Sequence, residues 1–151
     1  MVVFILIDGL RPDAIAPADC PNLKRLIARG AATMRATSVM PSMTLPCHTS
    51  IFHSVPPQRH GISSNVWSPM ARPLPGLFDL AKAAGKRSAF AYNWEELRDL
   101  GRPGSLDLAL FRSTAYQADG DDIIAAEAAR ALPGGGYDFA FVYLGTVDTA
   151  G

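Results

Sequence analysis

The stretch Val2-Val3-Phe4-Ile5-Leu6-Ile7-Asp8 predicts the fold class of this chain. Its apolar, mostly β-branched run is typical of a strand buried on both faces of a parallel sheet. The run ends in an acid, Asp8, and open α/β sheets bind ligands beyond the carboxyl ends of their strands. Asp-Gly is also a common turn pair. Position alone therefore leaves a functional and a structural role open for Asp8.

Segments typical of helices and strands alternate along the rest of the chain. We predict helices at 21–30, 45–54, 77–84 and 121–132, strands at 87–92, 106–111 and 137–144, and a weaker strand at 32–39. A stretch rich in Pro, Ser, Gly and Asn at 55–75 predicts a long loop. The alternation indicates an α/β fold with a mainly parallel sheet sandwiched by helices, in a single domain over residues 1–151.

Composition narrows the classes of function. The chain is 48% hydrophobic and 19% charged, which is typical of a soluble globular protein, and its 14 basic residues balance its 14 acidic ones. No long-range field therefore favours a nucleic-acid polymer or a membrane surface. Two cysteines make no disulfide framework. The first apolar run is too short for a signal peptide or for the ~20 residues of a membrane span, so we expect a cytoplasmic protein.

Thr44 lies where the helix at 45–54 should begin. A threonine at this position is ordinarily a helix N-cap, whose oxygen accepts a backbone N–H. A helix start also presents free N–H donors and a positive dipole end to an anion. A hydroxyl there could become a phosphoryl nucleophile if a metal lowered its pKa.

Asp148 follows the last predicted strand, in a loop over 145–151. Parallel strands bring their carboxyl ends to one edge, so Asp8 and Asp148 should converge. Carboxylate oxygens suit divalent ions. Two acids and the hydroxyl of Thr44 therefore predict a metal-assisted phosphoryl-transfer site.

Several other sites are excluded by the motifs they require. The strand end after Ile7 lacks G-x-G-x-x-G, and no P-loop motif occurs in the chain. A haloacid dehalogenase site would need a second Asp where Leu6 stands. His48 and His53 are five residues apart, a poor spacing for two ligands on one helix, and we predict that His60 is a packing or hydrogen-bonding residue.

Taken together, these motifs resemble the type I phosphodiesterase/nucleotide pyrophosphatase family of the alkaline phosphatase superfamily. The resemblance runs through the chain in order, in the opening strand with its Asp, a following helix start, the nucleophile motif, its trailing loop and the final strand: 3–13, 20–23, 41–48, 56–62 and 143–151. It implies an alkaline phosphatase-like core, present in part.

Residue roles follow from this resemblance. Asp8 and Thr44 would bind one divalent ion, zinc or manganese, and Asp148 would bind a second. Thr44 would also attack phosphorus in a small-molecule phosphate ester and form a phosphothreonine. Cys47 and Asn65 would contact the substrate, although Cys47 stands where nucleotide pyrophosphatases usually carry an Asn.

In the family, a His ligand follows the last Asp by four positions, a place that would come just after Gly151. We therefore expect the N-terminal part of a larger catalytic domain, and this piece by itself could be an inactive fragment. Two other interpretations remain open. One is a non-catalytic α/β module whose acids only form caps and turns, and the other is a phosphomutase or phosphonate hydrolase of the same superfamily.

Overall fold

A computed structural model describes residues 1–70 and 72–150. Its elements, in chain order, are β1 (Val2–Ile7), α1 (Pro12–Ile15), α2 (Pro21–Arg29), α3 (Thr44–His53), α4 (Pro57–His60), α5 (Leu77–Ala83), β2 (Ser88–Tyr92), a 3₁₀ helix (Glu95–Leu100), β3 (Leu108–Phe111), α6 (Gly120–Ala131), β4 (Phe139–Leu144) and α7 (Thr146–Ala150). Most of the predicted helices and strands are thus confirmed to within one or two residues. None of the helices in these ranges has both the length and the apolar character needed to cross a membrane.

The four strands form one parallel sheet in the order β1-β4-β2-β3, which confirms the predicted α/β class. Strand β4 lies between β1 and β2 and pairs in register with β1 up to Ile7 and Leu144. Because both strands end at the same level, the residues that follow them emerge side by side. The register therefore positions Asp8 beside the start of α7.

Alternation along β2 and β4 divides the core into two layers. One face is aromatic, where Phe90 and Phe141 pack with Phe52 of α3 and Phe78 of α5. The other face carries small residues of β2 and β4 and packs against Ile124 and the rest of the apolar face of α6. Helix α3, which carries Thr44, therefore lies over the aromatic face, and α6 lies over the face of small side chains.

Two predictions about strands were wrong. Strand β1 is not buried on both faces, because it is an edge strand: Val2 is 67% exposed and Ile5 is 53% exposed, while Phe4 and Leu6 pack on the aromatic face. Residues 32–39 form no strand, because that segment pairs with no strand of the sheet.

Candidate active site

Asp8 and Thr44 meet at the carboxyl edge of the sheet. The Thr44 Oγ1 hydroxyl donates a 3.0 Å hydrogen bond to Oδ2 of Asp8, across 36 positions of sequence. Thr44 is the first residue of α3, and Met43, at the N-cap position, makes no side-chain capping hydrogen bond. The hydroxyl is therefore not a helix cap, contrary to the ordinary expectation for a threonine at a helix start. It is held against a carboxylate instead.

Asp148 is brought to the same site by close packing of backbone. It lies in the short helix α7 and not in a loop, which corrects the sequence prediction. Gly9, with φ +69°, approaches it so closely that an added Cβ would be 2.6 Å from the Asp148 Cα. Asp8, Thr44 and Asp148 line one cavity of ≈ 90 Å³. The convergence expected from strand polarity is thus present in the fold.

Tyr143 is a member of the site that the sequence analysis missed. Its buried hydroxyl donates a 2.8 Å hydrogen bond to Oδ2 of Asp8, the oxygen that also accepts from Thr44. Burial, and then the charge of Asp8, raises the pKa of Tyr143 far above its usual range, so the phenol remains a donor. Period-two alternation with Phe141 places Tyr143 on the aromatic face at the end of β4, which was a usable signal.

Asp121 also went unrecognised. It lies in the first turn of α6, where the sequence indicates only a favourable charge at a helix start. In the structure its Oδ1 accepts from Gly145 N at 2.8 Å and from Asn93 Nδ2 at 3.0 Å, and its Oδ2 accepts from Thr146 N at 3.0 Å. This carboxylate ties the start of α7, and with it Asp148, to α6 and to Asn93, the residue that follows β2. No local pattern predicts such a contact.

The two residues expected to contact substrate both lie near Thr44. Asn65 lines the same small cavity, and its Oδ1 accepts from Leu45 N at 3.0 Å, so it occupies one free donor of the helix start. Cys47 lines a larger, open cleft of ≈ 510 Å³ that Asp8 and Thr44 share. Burial raises the pKa of the Cys47 thiol, which keeps it protonated. Contact of either residue with substrate stays a prediction.

His48 supports the first turn of α3. Its Nδ1 lies 2.7 Å from the Thr44 carbonyl oxygen, which only accepts, so Nδ1 carries the proton. Its buried Nε2 has no hydrogen-bond partner in the described part of the chain. Burial lowers the pKa of His48, so the ring is neutral. The imidazole of His48 is therefore hydrogen-bonded to the backbone of Thr44, the residue whose side chain carries the hydroxyl.

Ser50 and His60 form a buried pair that could be mistaken for a nucleophile and its base. His60 Nδ1 accepts from Ile62 N at 3.0 Å, so the proton is on Nε2, which donates to Ser50 Oγ at 2.9 Å. Because that nitrogen is a donor, it cannot remove a proton from Ser50. His60 therefore packs and hydrogen-bonds, as the sequence analysis expected.

The oxygen donors of Asp8, Thr44 and Asp148 suit a hard divalent ion. Across residues 1–70 and 72–150, no group of three or more His, Cys, Asp or Glu side chains is placed to hold a metal. The donor set fits such an ion only if water, substrate or further ligands complete the coordination.

Comparison with known proteins identifies the family of this chain and finds solved structures with a similar fold. A family model described as type I phosphodiesterase / nucleotide pyrophosphatase matches residues 2–151. The fold is similar to that of phosphonoacetate hydrolase from Sinorhizobium meliloti 1021 in complex with phosphonoacetate, at 24% identity and a TM-score of 0.74. A complex of the same hydrolase with phosphonoformate gives 25% identity and a TM-score of 0.75. Each alignment covers 97% of this chain but only 46% of the hydrolase, so the chain spans about half of that protein. No curated protein sequence gives a significant match.

Proposed function

Because the chain belongs to the type I phosphodiesterase/nucleotide pyrophosphatase family, we propose that it is the part of a metal-dependent phosphoric ester hydrolase that carries the nucleophile, Thr44. The observation that supports this most directly is the Thr44–Asp8 hydrogen bond. A threonine that only capped α3 would accept from a backbone N–H, whereas this hydroxyl donates to an acid at the edge where ligands of α/β sheets bind.

In the proposed reaction, Thr44 Oγ1 attacks phosphorus, the bond from phosphorus to the leaving oxygen breaks, and phosphothreonine forms. Oγ1 releases its proton to solvent as the new bond forms, and the leaving oxygen takes one up from solvent. Water then attacks phosphorus, the bond from phosphorus to Oγ1 breaks, Oγ1 regains a proton and the phosphate product leaves. Asp8 orients Oγ1, and the amide nitrogen of Asn65, for which the described chain gives no hydrogen bond, is available to a phosphoryl oxygen.

Two divalent ions, zinc or manganese, belong to the proposal. Asp8 and Thr44 would hold one and Asp148 the other, in keeping with their oxygen donors on a single cavity. When bound, such ions lower the pKa of a nucleophilic hydroxyl and neutralise charge on the phosphoryl oxygens.

Substitution of Thr44 tests the proposal. In the complete enzyme, Thr44→Ala should abolish hydrolysis of bis(p-nitrophenyl) phosphate while leaving the fold intact, and Thr44→Ser should retain part of the activity. Acid-quenched protein from the unsubstituted enzyme should carry one p-nitrophenyl phosphoryl group on the peptide that contains Thr44, because only one of the two p-nitrophenol groups leaves in the first step. Thr37→Ala, an exposed threonine, serves as the control. Full turnover by Thr44→Ala would refute the assignment.

Metal binding gives a second readout that needs no turnover. Calorimetric titration with Mn²⁺ or Zn²⁺ should show weaker binding in Asp8→Asn and Asp148→Asn than in Asp19→Asn, which changes an exposed acid that is not among the residues given as lining either cavity of the site. Equal affinity in all three would favour the non-catalytic module.

Phosphonate hydrolysis is a second candidate, because the structurally similar hydrolase is described with phosphonoacetate and phosphonoformate. It would use the same Thr44 but break a bond from phosphorus to carbon. Release of phosphate from phosphonoacetate, compared with release of p-nitrophenol from the diester, separates the two reactions.

A further inference from the structure

We propose that a second cavity beside the Thr44 site binds the organic group of the substrate, and that this group carries an ammonium. The proposal rests on the proposed function, since it names the substrate class of the same site. The cavity has a volume of ≈ 340 Å³ and lies beyond the carboxyl ends of β2 and β3.

Shared lining residues connect the two cavities. Trp94, Ala115 and Tyr116 line both the small cavity, which also contains Thr44, and the larger one. The small cavity of ≈ 90 Å³ has room for little more than a phosphoryl group. A substrate with phosphorus beside Thr44 would therefore extend its remaining atoms past Trp94 and Tyr116.

The charge of the larger cavity selects against anions. Glu95 and Glu96 contribute to its lining, and among the described residues that line it none is Lys, Arg or His. Glu95 is paired with Arg98 at 3.1 Å, but Glu96 takes part in none of the ion pairs given for the described chain. An anionic group entering the cavity would face a carboxylate with no cation to offset it, whereas a cationic group would gain from it.

A buried acceptor in the lining points to the same ligand class. Asn93 is 1% exposed, and its Nδ2 donates to Asp121 at 3.0 Å. Its buried Oδ1 has no partner in the described residues. A buried acceptor without a donor is costly, so a ligand with an N–H donor is favoured here. This observation is independent of the glutamates.

Two aromatic residues, Trp94 and Tyr116, also line the larger cavity. Trp94 is 8% exposed, at the boundary between the two cavities, and Tyr116 is 82% exposed. Cations bind favourably over indole and phenol faces. Acceptors, an unpaired carboxylate and aromatic rings together favour an alkylammonium over the carboxylate that phosphonoacetate carries.

Binding of simple phosphate monoesters to the Thr44→Ala variant, which lacks the proposed nucleophile, tests the proposal without turnover. Trp67 and Trp94 are the two tryptophans of the chain, so in a Trp67→Phe background the fluorescence reports on Trp94. The ligands are phosphoethanolamine, phosphocholine, phosphoglycolate and inorganic phosphate. We expect both ammonium esters to bind about tenfold more tightly than phosphoglycolate.

Substitutions at Glu96 provide the decisive comparison. Glu96→Gln should reduce the ammonium preference to about threefold, and Glu96→Lys should reverse it, while Asp19→Asn should leave it unchanged. Tighter binding of phosphoethanolamine than of phosphocholine would indicate an N–H donated to Asn93, and the opposite order would indicate the aromatic rings. Both orders support the proposal.

Two results overturn the proposal in different ways. If phosphoglycolate binds at least as tightly as the ammonium esters, or if the Glu96 variants do not alter the ratio, the ammonium class is wrong and the Thr44 assignment stands. If none of the four ligands binds, inorganic phosphate included, the proposed phosphoryl site fails as well.

Discussion

Gly9 and Asp148 touch through their backbones, and no side chain fits between them. A Cβ built on Gly9 would lie 2.6 Å from the Cα of Asp148, a separation that Cβ atoms essentially never show. The turn after β1 and the helix after β4 can therefore pack together only because residue 9 is a glycine. This contact sets how near Asp8 comes to Asp148.

Gly9→Ala should consequently separate the two acids. We expect a loss of about 3 kcal/mol in the free energy of unfolding, since a backbone clash adds to an unfavourable positive φ. Gly85→Ala is a matched control, because Gly85 has the same φ of +69° but nothing within 4 Å. It should lose only about 1 kcal/mol. Urea denaturation measures both, and equal losses would mean that the contact does not constrain the site.

Tyr143→Phe should release one of the two hydroxyls that hold Oδ2 of Asp8. Loss of a hydrogen bond to a charged group should cost about 2 kcal/mol of stability. The turnover number should fall about tenfold with little change in KM, because Asp8 orients Thr44 in the reacting complex. Tyr92→Phe is the control, because it changes a buried tyrosine outside the site, and its turnover number should be unchanged. If Tyr143→Phe keeps its full turnover number, or if Tyr92→Phe loses as much, Tyr143 does not position Asp8.

Asp121→Asn should loosen the start of α7. The N–H groups of Gly145 and Thr146 donate to different oxygens of the carboxylate, and an amide has only one acceptor oxygen, so one of the two bonds is lost and we expect a loss of about 2 kcal/mol. Hydrogen exchange at those two amides should accelerate more than exchange within β4. Asp122→Asn changes an exposed neighbour and should alter stability by less than about 0.5 kcal/mol. Unchanged exchange in Asp121→Asn would show that another contact holds the segment.

His60 should make stability depend on pH. Burial lowers its pKa in the folded protein, and a proton added at Nδ1 would break the hydrogen bond from Ile62 N. The stabilisation is therefore complete above the unfolded pKa of about 6.5 and is lost as the pH falls toward the folded value, by up to about 1.4 kcal/mol per pH unit.

In His60→Asn, the amide oxygen can accept from Ile62 N but does not titrate. The variant should therefore show a shallower loss of stability below pH ~6.5, and His48 and His53, whose pKa values burial also lowers, should account for the slope that remains. Chemical denaturation at several pH values measures both slopes. An unchanged slope would assign the dependence to those other histidines.

The sequence alone predicted the kinds of elements and three residues of the candidate site. Apolar runs, Pro at helix starts and Gly after helix ends are local signals, and local backbone preferences respond to them. Strand polarity then implied that Asp8 and Asp148 share an edge, which requires only that β1 and β4 be parallel. The placement of Thr44 beside them was implied by the resemblance of residues 41–48 to the nucleophile motif of the family.

Only the tertiary structure decided how those residues are held. The lateral order of the strands made β1 an edge strand with Ile5 exposed, and it aligned the end of β4 so that Tyr143 reaches Asp8. Asp121 gained its role in the same way, through contacts between elements far apart in the chain. The local sequence pattern specifies which residues follow the end of each strand. Which of them meet depends on strand order, register and close backbone packing, and these are properties of the whole fold.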